Sequence, residues 1–465
     1  MTADDFTRTH PLATDRVSAL LLRFAIPSIV SMLVGALYNI VDQIFIGQGV
    51  GMLGNAATNV AFPLVAVCMS LALMLGIGGA SNFNLEQGRG NRERAAMIVA
   101  NSIAYGALFG VMIFISIRLA LKPLLLAFGA TPEVMPYAIS YTGITSFGMP
   151  FMIMSVSGSH LMRADGSPRW SMVCNLTGAL LNTVLDPLFI FTFDMGIEGA
   201  AWATVISQFV SWVLVVNYLR GFRSVKLYRR YFRPRLELLG SIAALGAGSS
   251  FNQLSMMAVQ ITMNNTLVHY GAMSLYGSNI PLAASGIIAK VNMIFVSIII
   301  GIGQGGQPII GFNYGAGNYG RVRATFRLTL AAATVVSIIG FACFQLFPRQ
   351  IISIFGDGSE EYFIFSERFF RIFLFFTFIN GIQPVTAQFF SSIGKATRGF
   401  FISLTRQILF LLPLIIILPR FLGIDGIMYA GPAADFVAAA LTIAFIVAEI
   451  RDMRAKESEG ASLAP

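Results

Sequence analysis

Apolar stretches of about 20 residues or more, the length a helix needs to cross a bilayer, follow one another along this chain with short polar breaks between them. With Gly, Pro and charged residues as punctuation, the pattern predicts helices over 17–47, 53–82, 93–121, 133–163, 168–193 and 197–220, then over 238–270, 279–311, 320–347, 360–392, 397–419 and 424–450. The breaks are too short to hold a soluble domain. The apolar run after the polar segment 1–16 is too long for a signal-peptide core and lacks a small-residue cleavage pattern, so it reads as a retained first span. The expected fold class is an all-α integral membrane protein with twelve transmembrane helices.

Composition agrees with lipid as the solvent. Of 465 residues, 56% are hydrophobic and 11% charged, too little polar surface to coat a body in water. The formal net charge of +9 raises nucleic acid as a partner, but the positions of the charges argue against it. With the N-terminus inside, the cytoplasmic segments hold Arg8, Arg16, Arg89, Arg92, Arg94, Arg163, Arg169, the run from Arg220 to Arg235, Arg321, Arg323, Arg327, Lys395, Arg398, Arg451, Arg454 and Lys456. The opposite loops hold Arg118, Lys122, Arg349 and Arg420. By the positive-inside rule both termini are cytoplasmic, in a bacterial cytoplasmic (inner) membrane, and the run from Arg220 to Arg235 is a linker between two bundles. Cys68, Cys174 and Cys343 lie inside spans without paired spacing and read as packing residues.

The chain is also a repeat. Gly76, Gly78, Gly79, Gly88, Gly90, Asn91 and Arg94 reappear 227 residues later as Gly303, Gly305, Gly306, Gly315, Gly317, Asn318 and Arg321. At the same offset GIEG at Gly196–Gly199 meets GIDG at Gly423–Gly426. Six helices per copy is an even number, so both copies enter the bilayer from one side and are related by a pseudo-two-fold axis along the membrane normal. The expected organisation is a tail (1–16), an N-lobe (17–220), a basic linker (221–237), a C-lobe (238–450) and a second tail (451–465). Two lobes already form both walls of a pathway, so a monomer suffices.

The stretch GIGQGGQPIIGFNYGAGNYGRVRA (Gly301–Ala324), with FAIPSIVSMLVGALYNIVDQIFIGQ in the first span and LLNTVLDPLFIF in the fifth, resembles the multidrug and toxic compound extrusion (MATE) transporters over essentially the whole chain. The other large twelve-helix family, the major facilitators, would carry a Gly-, Asp- and Arg-rich loop after the second span, where this chain has EQGRGNRERA. The resemblance implies a V-shaped pair of bundles that opens alternately to each side, exchanging protons or sodium for small organic molecules. Wider relatives flip lipid-linked sugars, so a flippase or exporter of an amphipathic anionic or lipid-linked substrate is the alternative.

Ionisable residues at membrane depth are costly unless paired or wetted, so each is a functional candidate. Asp42 in the first span and Asp186 in the fifth lie at similar outer depths, with Asn182 one turn before Asp186, Asn39 three residues before Asp42, and Thr204 early in the sixth span. Two carboxylates with amide and hydroxyl oxygens suit either sodium, with Asp42, Asn182 and Asp186 as ligands, or a carboxylate pair sharing a proton. The resemblance gives Asp42, Asn182, Asp186 and Thr204 the coupling-ion role and asks for a further ligand from the fourth span, where Ser155 or Ser157 is nearest. It also makes Pro27 a hinge in the first span. Asn264 aligns with Asp42 in the second copy, which places the ion in the first. Lys290, Arg406 and Asp435 form a second-lobe charge cluster in which Asp435 is expected to pair with Lys290 or Arg406, leaving the other cation to face the cleft. Glu367 and Arg371, four apart, are expected to neutralise each other. There is no nucleophile and base constellation, phosphate loop or metal-ligand cluster, so no enzyme and no cofactor beyond the coupling ion is expected.

Overall fold

The computed structural model describes residues 10–355 and 359–462; the rest of the two predicted tails, 1–9 and 463–465, lies outside the described residues. Each predicted span is occupied by helix. In the first half these are α1 (Val17–Gly49), α2 (Met52–Gly88), α3 (Arg92–Ala127), α4 (Met135–Thr145 and Met149–Ala164), α5 (Pro168–Pro187, continued by a π turn at Leu188–Thr192) and α6 (Gly196–Arg220). The second half has α7 (Leu236–Ala272), α8 (Asn279–Gly315), α9 (Tyr319–Leu346), α10 (Glu360–Phe373, Phe375–Ile379 and Ile382–Ser392), α11 (Ala396–Leu404, Thr405–Leu411 and Leu412–Ile417) and α12 (Ile424–Ser462). Among the described residues, nine of these helices are long and apolar enough to cross a membrane by length and composition alone. The other three are α4 and α10, which are broken, and α7, which carries many Ser, Asn, Gln and Thr side chains.

The breaks have a local cause. Pro150, Pro384 and Pro413 have no N–H to return to Ser146, Asn380 and Leu409, and each of these acceptors lies in or beside a break or a π turn. The core is divided in the same way as the sequence. One large cluster of buried apolar side chains spans Val259 to Met453, and three others draw on residues between Ile46 and Ile242, one of them reaching Leu238 and Ile242 at the start of α7. A small cluster, with Leu20, Leu21 and Phe24 of α1 against Ile309 and Phe312 of α8, joins the halves.

Where the halves meet, the repeat becomes visible as geometry. A methyl group placed on Gly88 would lie 2.0 Å from Phe312 O, and one on Gly315 would lie 2.2 Å from Leu85 O. Gly315 is the copy of Gly88 and Phe312 the copy of Leu85, so the two contacts exchange under a two-fold rotation. Gly90 and Gly317, also copies, hold φ of 78° and 73° in the turns after α2 and α8, a left-handed conformation open to glycine. Further along, Gly246 of α7 sits against Met74 O (2.0 Å from a methyl), Gly305 against Ala25 Cα (2.6 Å) and Gly301 against Ile29 Cα (2.6 Å). These backbone-to-backbone contacts run from the end of the bundle that carries the basic residues toward its middle.

Two arginines that are copies of each other brace the same end. Arg94 of α3 bonds Glu237 at the start of α7 across 3.2 Å. Arg321 of α9 donates through Nε to Leu12 O (3.0 Å) and also to Asp15 O, in the short turn Pro11–Thr14 that leads into α1. Asn313 adds a second donor to Leu12 O at 2.9 Å. Each arginine thus ties its own half to the chain segment entering the other.

His10 completes this docking. Its ring stacks on Phe312 at 4.5 Å, and its Nδ1 accepts from Leu12 N at 3.2 Å, which requires the neutral imidazole. Burial, followed by the nearby Arg92 cation, lowers its pKa to about 4 against a modest opposing pull from Asp15. Because the undocked ring titrates near 6.5, docking is fully favoured above that value and is progressively lost as pH falls from 6.5 toward 4. The expected NMR titration midpoint of His10 is near 4, with amide protection of residues 13–15 declining over that window; a midpoint near 6.5 would mean that the segment is undocked.

Candidate ion-coupling site

α1 and α5 pack along each other and present the two predicted carboxylates to one another. Asp186 is fully buried, Asp42 is partly so, and their side chains lie within hydrogen-bonding reach. Asn182 Nδ2 donates to Asp186 Oδ1 at 3.2 Å, as the four-residue spacing leads one to expect. Asp42 Oδ1, Asp186 Oδ2 and Asn182 Oδ1 are buried and receive no donor among the described residues. Three buried oxygens with no such donor, two of them on facing carboxylates, ask for a proton or a hard cation beside them. Sodium, with its preference for oxygen, fits this donor set; so does a shared proton.

Two tyrosines that the sequence reading missed close the site. Tyr38, half-buried one turn before Asp42 on α1, and Tyr141, buried on α4, lie beside both carboxylates. The i, i+4 spacing of Tyr38 and Asp42 was available as a signal, whereas Tyr141 arrives only through the packing of α4.

The other predicted ligands are less close. Asn39 is exposed and makes no hydrogen bond to the pair. Thr204 donates its hydroxyl to Ala200 O of its own helix at 3.0 Å. Ser157 donates to Ile153 O at 2.7 Å, and its backbone packs against Gly76 of α2. Measured along the helices from their basic ends, Ser157 lies about 15 Å nearer that end than Asp186, too far to share an ion with it. Ser155, the alternative from the same helix, is buried with its hydroxyl unpartnered. Pro27 is buried within an α1 that runs unbroken, and Ser28 and Ser31 donate to Phe24 O and Pro27 O around it. In the second half Asn264, the counterpart of Asp42, accepts from Gln260 at 2.8 Å on its own helix, so no charge there asks for an ion.

Comparison with known proteins settles the family. The MatE profile matches residues 27–188 and 249–417, one block in each half. The chain belongs to the MatE family. It is similar to the multidrug export protein MepA of Staphylococcus saprophyticus, with 25% identity over 439 residues covering 93% of this chain and 94% of that one. The MepA protein of Staphylococcus aureus is 23% identical over 433 residues with the same coverage. Among solved structures, an outward-facing multidrug resistance MATE transporter superposes with a TM-score of 0.88 at 24% identity, covering 98% of this chain and 99% of the other. A transporter of the MOP superfamily from Pyrococcus furiosus, described as having a binding pocket of reversed polarity, gives a TM-score of 0.87 at 24% identity and the same coverage. The protein is thus a multi-pass membrane transporter of the MatE fold and not an enzyme.

In the C-terminal half of this MatE protein, Asp435 of α12 pairs with Arg406 Nε of α11 beside Asn380. Asp435 is 2% exposed. Of the two partners open to Asp435, packing selects Arg406, because the π turn Thr405–Leu411 swings that side chain toward α12. Lys290 of α8 is exposed and has no ion-pair partner among the described residues. Glu367 does not pair with Arg371; the turn Pro348–Ser353 brings Arg349 beside α10, where it bonds Glu360 at 2.6 Å and Glu367 at 3.6 Å. Breaking the buried pair with Asp435→Asn leaves a guanidinium without compensation, a cost of about 3–5 kcal/mol. The variant is expected to melt well below the parent in detergent, while Arg406→Met combined with Asp435→Leu recovers most of the difference. Equal melting of parent and Asp435→Asn would show that the pair is not structural.

Proposed function

We propose that this protein is a secondary exporter of small organic molecules, driven by H+ or Na+ taken up at the Asp42–Asp186 pair. A cleft between the lobes 17–220 and 238–450 would open alternately to the two sides of a bacterial cytoplasmic membrane. The observation that carries the coupling is the facing pair of carboxylates with buried oxygens that no donor among the described residues reaches. A site that must be filled in one conformation and emptied in another links an ion gradient to the opening of the cleft. The name of the MepA relatives supplies the substrate class. The crowding of Lys and Arg at one end supports a cytoplasmic placement of both termini. The close glycine contacts at that end support a form closed to the cytoplasm.

Two polar side chains belong to the cleft on this reading. Lys290 precedes Gly301 by three turns and about 20° on α8, so it sits above the very face that packs on α1. Asn39 follows Met32 by two turns less about 20° on α1, and the sulfur of Met32 touches Gln304 of α8. An unpaired ammonium in the cleft favours a second reading, export of anionic or amphipathic molecules. Proteoliposomes under a pH gradient or a sodium gradient, given a fluorescent organic cation or anion, separate the cases. Uptake of the cation under one gradient supports the first reading and names the ion; uptake of the anion alone supports the second; no flux of either overturns both.

A further inference from the structure

At the basic end, away from the carboxylates, α1, α5 and the chain after α6 enclose a recess of about 350 Å³ lined by Arg23, Ser167, Pro168, Arg169, Trp170 and Arg223. All three arginines are exposed, and none of their guanidinium groups has a carboxylate partner among the described residues. That sets them apart from Arg89, Arg94, Arg230, Arg323 and Arg398 on the same side, each of which is paired.

The recess is built, not incidental. Asp165, 5% exposed, accepts from Tyr218 Oη at 2.6 Å and Arg223 N at 2.8 Å on one oxygen and from Ser224 N at 2.8 Å on the other. Its carboxylate is consumed in fixing the backbone that carries Arg223, so it does not neutralise the arginines. Arg169 and Trp170 open the first turn of α5, whose Ser167 makes no side-chain cap, leaving helix N–H groups directed to the same place. From the recess an apolar ridge runs toward mid-bilayer. Leu22 and Ile26 of α1 are 60% and 55% exposed, and Trp170, Val173 and Leu180 of α5 are 49%, 40% and 56% exposed.

Three unpaired guanidinium groups at headgroup depth, an amphipathic indole and an adjoining strip for acyl chains together match one ligand class. We propose that this recess is a binding site for the phosphate of an anionic phospholipid in the leaflet on the basic side. Guanidinium forks and free helix N–H groups recognise phosphate from any source, but the exposed ridge beside them adds contacts that only a lipid can make. Such a lipid would clamp the start of α1 to α5, the two helices that hold Asp42 and Asp186 at their other ends.

The full chain, purified and exchanged into phosphatidylcholine nanodiscs with increasing phosphatidylglycerol, is measured by native mass spectrometry. The expected result is one tightly retained phosphatidylglycerol, with apparent affinity weakened by at least about tenfold in Arg23→Gln/Arg169→Gln/Arg223→Gln. A control that removes the same charge elsewhere on that side, Arg229→Gln/Arg233→Gln/Arg451→Gln, is expected to leave retention unchanged. Equal weakening in both variants overturns the site in favour of diffuse surface attraction. Inorganic phosphate titrated in detergent separates the sources: displacement of the lipid by micromolar phosphate would show a free-anion site and overturn the lipid assignment. In the unsubstituted chain, Trp170-dependent fluorescence quenching by brominated phosphatidylglycerol should exceed that by brominated phosphatidylcholine. Equal quenching by the two lipids also counts against the proposal, whatever the folding of the variants.

Discussion

Asp42→Asn is expected to fold, to melt at the same or a higher temperature than the parent, and to lose gradient-driven transport. The combination follows from the geometry. Two carboxylates held face to face in a buried site repel unless an ion intervenes, so replacing one by a neutral amide removes an unfavourable term from the folded state. The same replacement deletes the reason for an ion to bind, and with it the differential affinity that lets a gradient favour one conformation. Switching a two-state equilibrium almost completely needs a preference of about 5 kcal/mol, which a single remaining carboxylate with an amide neighbour does not provide. Flux in proteoliposomes should therefore fall by at least about tenfold, in Asp186→Asn as in Asp42→Asn. Thermal melting identifies the ion. If sodium binds, NaCl but not KCl raises the parent's melting temperature by mass action and leaves the variant's unchanged; if the site takes a proton, neither salt discriminates. A variant that transports normally would remove the carboxylate pair from the mechanism, and one that fails to fold would give it a structural role.

Gly88→Val and Gly315→Val are expected to hold the halves apart at their basic ends. A methyl 2.0 or 2.2 Å from a backbone carbonyl oxygen finds no flexible side chain to displace, so the helices themselves must separate. Overpacking of this kind costs about 1–3 kcal/mol, enough to shift a conformational equilibrium by about five- to 150-fold. The Arg94–Glu237 bridge and the Arg321 bonds to Leu12 and Asp15 lie at the same seam and open with it. A cysteine introduced at Ser81, which is fully buried beneath the seam and bonds Gln307 of the other half at 2.8 Å, reports the change. Labelling by a membrane-impermeant reagent from the basic side should accelerate by at least about fivefold in either glycine variant. Unchanged labelling in a folded protein would mean that α2 and α8 do not separate there.

The helical architecture was almost entirely legible in the sequence, because in lipid every backbone group must be satisfied within the helix and each span has to announce itself as an apolar run. Predicted and observed bounds agree within a few residues for helices such as α1, α6 and α9. The breaks in α4, α10 and α11 were signalled by Pro150, Pro384 and Pro413 yet left unread. The carboxylate pair was legible for a simple reason: depth can be counted along two helices from their ends, and Asp42 and Asp186 both come out in the outer part of their spans. What could not be counted was rotation and packing. Asn39 is three residues from Asp42, far enough around α1 to be exposed while Asp42 turns toward α5. Ser157 had the right chemistry at the wrong depth. The choice of Arg406 over Lys290 for Asp435 rests on a π turn in α11 that no periodicity announces.

Where the two-fold axis passes between α2 and α8, one more contact has a bearing on how such a chain can arise. A methyl on Gly311 would lie 2.9 Å from Asn84 Cβ, and Gly311 is the copy of Asn84. In a dimer of identical subunits a residue on the axis can only meet itself, so a knob there would face a knob and a notch a notch. Asn84 fitting against Gly311 is open only to subunits joined into one polypeptide and free to diverge. The same freedom allows Asp42 to stand in one half while Asn264 stands in the other, so fusion is what would permit the proposed single ion site in a doubled fold.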